Sequence, residues 1–142
     1  MRKIFALILI VSSVFLFGSF VIAEEAVNKS ANQVIAYYFH GNFRCPTCHK
    51  LEQYSKEAIE SNFKDALASG KLKFKVVNVN ERGNEHFVQD YQLYTKSLVI
   101  SLVKNGKEGK SKNLAKIWEY VRDRQRFYDY VKDEVTAFLG EL

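Results

Sequence analysis

Cys45-Pro46-Thr47-Cys48-His49 holds the chain's two cysteines and its only proline, and no other stretch has a clearer capacity for chemistry. Two thiols separated by two residues can cycle between dithiol and disulfide. With histidine directly after the second cysteine, the same spacing is also an attachment signature for a c-type haem. The two sulfurs could instead hold a metal, a metalloid or an iron–sulfur cluster, or form a static bridge. A bridge closing so small a loop constrains the unfolded chain far less than one closing a long loop, so stability is a weak reason for the pair.

The surrounding elements decide how the motif is presented. Gln33 to Phe39 is a continuous β-branched, aliphatic and aromatic run, the pattern of a strand buried on both faces. His40-Gly41-Asn42-Phe43-Arg44 breaks it with turn-forming residues. From Cys45 a helix is expected: Pro46 suits its first position, and Cys48, Leu51, Ser55, Ala58 or Ile59, Phe63 and Leu67 recur at helical spacing until Gly70. A second strand is expected within 71–80 and a short helix over 84–91. A third strand should span 97–103, followed by an Asn105-Gly106 hairpin and a lysine-rich edge strand over 108–112. Lys112 to Leu139 reads as one long helix burying Leu114, Ile117, Trp118, Val121, Tyr128, Val131, Val135 and Phe138.

That order discriminates between the chemistries. A c-type haem would use Cys45 and Cys48 as anchors, His49 as one axial ligand, and usually a distal Met or His. The only methionine is Met1, so His40 or His86 would have to serve. Small c-type cytochromes are also mostly helical, whereas this motif follows a strand in a strand-bearing domain. A dithiol at a helix N-terminus fits better, because unpaired N–H groups and the positive end of the helix dipole favour a thiolate at Cys45. Arg44 and His49 add to that effect. Cys45 is then the expected nucleophile, and Cys48, on the apolar stripe with Leu51 and Ser55, the shielded resolving thiol.

Met1-Arg2-Lys3, the apolar run from Ile4 to Phe17 and the residues ending at Ala23 read as a secretory signal cleaved after Ala23. The other reading is an uncleaved inner-membrane anchor over 4–23, since about 20 apolar residues span a bilayer. Either way the expected location is periplasmic or otherwise extracytoplasmic, with membrane contact only through an uncleaved segment. Residues 24–32 read as a linker or short helix and 33–142 as the folded domain. The leader carries Arg2 and Lys3 but no carboxylate, so removing it lowers the net charge from +5 to +3. Basic residues are interleaved with acids, as in Arg122-Asp123-Arg124, which argues against a nucleic-acid partner.

Tyr37 to Cys48 resembles the strand, active-site loop and helix of the thioredoxin-like superfamily. Val76-Val77-Asn78-Val79-Asn80 is similar to its next central strand, and Leu98 to Val103 with Lys104-Asn105-Gly106 to its second half. More narrowly, the chain resembles small exported thioredoxin-like proteins labelled as an ArsF-type nitrophenyl-compound nitroreductase subunit. The resemblance implies an α/β, thioredoxin-like fold: a central four-stranded mixed sheet flanked by helices, with the CxxC at the N-terminus of the first core helix. It also implies an exported thiol–disulfide oxidoreductase with no cofactor beyond a redox-active Cys45–Cys48 disulfide. The implied substrate is a protein or small-molecule disulfide, with a membrane thiol transporter as electron donor. The nitroreductase label implies a partner system, as the chain carries no flavin or nicotinamide motif.

Two positions depart from the superfamily pattern. A buried Asp that assists the resolving cysteine is matched here by Tyr38. A cis-proline facing the CxxC has no counterpart, and its place falls at Ser97 or Leu98. A cis bond at a non-proline residue costs about 2.5–4 kcal/mol, so a trans bond is expected. His40, Arg44, Pro46, Thr47, His49, Ser97 and Leu98 are the residues expected to tune the thiols or line the substrate groove. In the superfamily that proline also keeps metals from the cysteines, so a metal or iron–sulfur site through Cys45 and Cys48 remains an alternative.

Overall fold

The first strand, β1 (Gln33–His40), has six consecutive buried residues, so it must be covered on both faces. The computed structural model describes residues 32–142, and the expected leader and nearly all of the expected linker lie outside the described residues. On one face, Val34, Ala36 and Tyr38 join a core with Leu51, Ala58 and Ile59 of α1 (Pro46–Asn62) and with Phe127, Val131, Val135 and Phe138 of α5 (Arg124–Leu139). On the other, Ile35, Tyr37 and Phe39 pack with Val99 and Val103.

The remaining elements in chain order are α2 (Lys64–Ala68), β2 (Leu72–Asn78), α3 (His86–Asp90), β3 (Ser97–Lys104), β4 (Lys107–Asn113) and α4 (Ile117–Tyr120). The described strands form a four-stranded sheet in the order β2-β1-β3-β4. β1 and β2 run parallel, while β1–β3 and β3–β4 are antiparallel. A parallel pair needs a crossover, which α1 and α2 supply. The register sets Tyr38 between Val76 and Leu98, and Phe39 opposite Ser97. The β3–β4 turn is the expected Asn105-Gly106 hairpin, with φ of 52° and 75°, as two positive φ values require. β4 is exposed along its whole length and carries Lys107, Lys110 and Lys112, which discourages edge pairing.

Two expected helices are each divided. The helix after Cys45 ends at Asn62, and Phe63, at φ −129° and ψ 37°, separates it from α2. Asn62 Nδ2 and Ser61 Oγ both donate to the Ala58 carbonyl, a side-chain competition for backbone groups that helps end a helix. The long expected helix over 112–139 starts as the end of β4, continues as the single turn α4, and restarts at α5. Asp123 is the cause: its side chain accepts from the Arg126 N–H at 3.1 Å and caps a new helix. Phe127, absent from the expected stripe, is fully buried, while Trp118 and Tyr128 are only half-buried. Among the described residues, no helix is long and apolar enough to cross a membrane.

Candidate redox-active site

β1 ends at the rim of the sheet and a five-residue loop carries the chain into α1, so the motif sits where strand turns into helix. Cys45 is the N-cap of that 17-residue helix, with extended backbone (φ −83°, ψ 165°) and Pro46 in the first turn. The Cys48 N–H donates to Cys45 Sγ at 3.3 Å, and the His49 N–H to Cys45 O at 3.1 Å. The two Sγ atoms lie at disulfide-bonding distance, with Cα atoms 5.0 Å apart. Helix spacing separates their environments: Cys45 is half-buried, and Cys48 is 2% exposed on the stripe with Leu51 and Ser55. No acidic residue in the first turn offsets the positive end of the helix dipole.

The fold is thioredoxin-like. A CxxC caps the helix after a central strand of a mixed sheet, and the last helix packs on the same face. No protein-family model and no curated protein matches the chain. Among solved structures it is similar to a mutant thioredoxin from Entamoeba histolytica, at 23% identity, covering 74% of this chain and 85% of that one with a TM-score of 0.41. It is also similar to Trxlp from Edwardsiella tarda EIB202, at 14% identity, covering 72% and 85% with a TM-score of 0.44. Thioredoxin O2 from Arabidopsis thaliana in the oxidised state is similar at 11% identity, covering 68% and 76% with a TM-score of 0.39.

Beneath the cysteines, Tyr38 is fully buried and its hydroxyl donates to the Cys48 carbonyl at 2.7 Å. Burial pushes the phenol up to about 12, with the Arg44 guanidinium acting in the opposite direction. Arg44 itself is ion-paired with Glu52, and its buried Nε has no hydrogen-bond partner among the described residues. Position 38 therefore holds a neutral donor that fixes the backbone of Cys48.

The loop before the motif is pinned from the end of β2. Asn80 Oδ1 accepts from the Asn42 N–H at 2.8 Å, and Asn78 Nδ2 donates to Asn42 Oδ1 at 2.8 Å. A Cβ on Gly41 would stand 2.6 Å from Asn80 Oδ1, so any larger residue there would displace that bond. His40 lies beside this loop, its Nδ1 2.9 Å from Gly41 O, which makes Nδ1–H the donor. Asn42, Asn78 and Asn80 were not legible as site residues. Each looks like an ordinary loop or strand-end asparagine, and only the fold brings them together.

Opposite Phe39 and Tyr38 at the start of β3, Ser97 and Leu98 are 3% and 0% exposed, so neither presents its side chain at the surface. Ser97 Oγ instead donates to Thr95 O at 3.0 Å and accepts from Asn113 Nδ2 at 3.3 Å, while Trp118 Nε1 donates to Lys96 O at 3.0 Å. These bonds hold the residues before β3, and every peptide among the described residues is trans. The accessible surface at this place belongs to Thr95 and Lys96.

Pro46, Thr47 and His49 are exposed around the disulfide. His86, the other histidine considered as a haem ligand, is exposed on α3 and paired with Asp90 at 2.7 Å. Among the described residues, no group of three or more His, Cys, Asp or Glu is gathered as a metal site would require.

Proposed function

We propose that this protein is an exported thiol–disulfide oxidoreductase, with Cys45 as nucleophile and Cys48 as resolving thiol. The observation that carries the reading is the asymmetry of the pair: two sulfurs at bonding distance on one helix N-terminus, the outer accessible and the inner buried. In the reducing direction, the Cys45 thiolate attacks one sulfur of a substrate disulfide. That S–S bond breaks as the Cys45 mixed disulfide forms, and the departing substrate thiolate takes up a proton. The Cys48 thiolate then attacks Cys45 Sγ, closing the Cys45–Cys48 bond and releasing the second substrate thiol. Two electrons have passed to the substrate, and a second thiol or dithiol donor must restore the pair. Run backwards, the same steps oxidise a substrate dithiol.

The Cys48 N–H aimed at Cys45 Sγ and the uncancelled helix dipole stabilise the attacking thiolate. Burial of Cys48 delays the second step until Cys45 is already bonded to substrate. Residues 1–23 would deliver the domain outside the cytoplasm, where a membrane thiol transporter is the class of donor that could supply electrons. The ArsF-type resemblance adds a nitroreducing partner system to the proposal. It rests on the likeness of the sequence alone.

The decisive experiment is trapping. With Cys48→Ser, the mixed disulfide formed at Cys45 cannot be resolved and accumulates as a reducible adduct that mass spectrometry locates on Cys45. Cys45→Ser should trap nothing. Equal trapping by both variants, or by neither, sinks the assignment.

A further inference from the structure

We infer that the substrate is an acidic peptide segment carrying the disulfide, read by three cations that line two clefts, one beside the CxxC motif and one beside the loop that precedes it. This rests on the oxidoreductase reading and adds its substrate class. One cleft of about 480 Å³ opens beside the motif, lined by Thr47, Lys50, Trp118, Glu119, Val121 and Arg122. A second, of about 150 Å³, opens at the other end of the loop, where His40, Gly41, Tyr94, Thr95 and Lys96 form part of its wall.

Trp118 connects the two, since its ring lines the first cleft and its Nε1–H holds the Lys96 carbonyl in the second. A ligand filling both must run past Trp118. That favours an extended chain of several residues over a compact small molecule, whose contacts one cleft would satisfy.

Charge supplies the chemistry. Arg44 is neutralised by Glu52, but among the described residues Lys50, Lys96 and Arg122 have no carboxylate within salt-bridge distance. Glu119 is the one acid lining either cleft, so three cations oppose one anion across the pair. The helix N-terminus between them adds to the positive side.

Aromatic surface adjoins the second cleft. Tyr94, in its wall, is 93% exposed, and Phe43, outside the wall and 78% exposed, has the Lys96 Nζ 5.8 Å from its ring centroid. A segment with carboxylates towards Lys50 and Arg122 and an apolar residue towards Phe43 and Tyr94 matches this surface.

The test uses the full chain and three disulfide peptides of equal length, flanked by Asp-Glu, Asn-Gln or Lys-Arg pairs, with glutathione disulfide and neutral bis(2-hydroxyethyl) disulfide alongside. KM should be lowest for the acidic peptide, separated from the basic one by roughly fivefold, the size expected of a few exposed charge pairs. Raising salt to about 0.5 M should erase the difference. Lys50→Gln with Arg122→Gln should shrink it by raising KM for the acidic peptide alone, while Glu119→Gln should widen it. Equal KM for all three peptides overturns the inference, as does glutathione disulfide competing as well as the acidic peptide. Loss of neutral-disulfide turnover in wild type instead removes the oxidoreductase reading on which this one stands.

Discussion

A buried phenol beneath Cys48 limits which proton can move near the inner sulfur. With its hydroxyl held up to about 12, Tyr38 stays protonated at any pH where the thiols react, so it cannot take the Cys48 proton. What it does is hold the Cys48 carbonyl at 2.7 Å in a fully buried setting. Tyr38→Phe removes the donor and leaves that carbonyl without it, so stability of the oxidised protein should fall by about 1–3 kcal/mol in urea denaturation. The pH dependence of Cys45 alkylation should keep its shape, because the first sulfur is served by the helix terminus. A large shift in that profile would mean that Tyr38 acts on the nucleophile directly. Cys45, Cys48, Pro46 and Thr47 could be assigned to a helix start from their types and spacing. Tyr38 could be flagged only as a departure, because nothing local says that its hydroxyl reaches a carbonyl ten positions on.

Elements were legible where periodicity was uninterrupted and blurred where capping chemistry intervened. β1, β3 and the Asn105-Gly106 turn follow from apolar runs and a dipeptide with a strong backbone preference. The single helix expected over 112–139 did not, because apolar residues on both sides of Asp123 keep a helical spacing although the helix stops and restarts there. The cap is worth measuring. Asp123→Ala removes the acceptor of the Arg126 N–H and should destabilise the protein by about 0.5–2 kcal/mol in thermal or urea unfolding. Asp123→Asn or Asp123→Ser should recover most of the loss, and a neutral effect of the alanine variant would count against Asp123 as the reason α5 begins where it does. Trp118 lies in α4, just before that restart, half-buried against the core as expected of a seam residue, with its indole N–H on the Lys96 carbonyl.

At the scale of the whole molecule, the two sheet faces are built differently. The face under α1 and α5 is an apolar core, whereas the other is closed partly by polar ties to Glu108 on β4. Tyr37 donates to that carboxylate at 2.6 Å and Ser101 at 3.1 Å, with Tyr91 as a further donor. Burial first, and then the bond to Glu108, push the Tyr37 and Tyr91 hydroxyls well above the usual phenol range. With Tyr38 raised by burial to about 12, three phenols hold their protons more tightly folded than unfolded. The stability they contribute is fully present below the ordinary phenol pKa of 10.0 and is lost as pH rises through their folded values. Urea midpoints should therefore be flat between about pH 8 and 9.5 and fall steeply above 10, with a shallower fall in Tyr38→Phe. A midpoint unchanged up to about pH 11.5 would contradict the buried, hydrogen-bonded state of these hydroxyls.

Strand and helix type and the likeness to a thioredoxin-like fold could be drawn from the order of residues, because each depends on neighbours two to four positions apart. The composition of the site's walls could not. Ser97 and Leu98 stand at the expected place yet turn inward, while Lys96 and Trp118, 22 residues apart, meet at the cleft, and Asn42 is held by residues 36 and 38 positions away. Those contacts come from sheet register and helix packing. Local spacing could announce two cysteines and set the second on an apolar stripe, but only the closed fold put the Tyr38 hydroxyl on the Cys48 carbonyl and brought Lys50 and Arg122 into one cleft with Thr47.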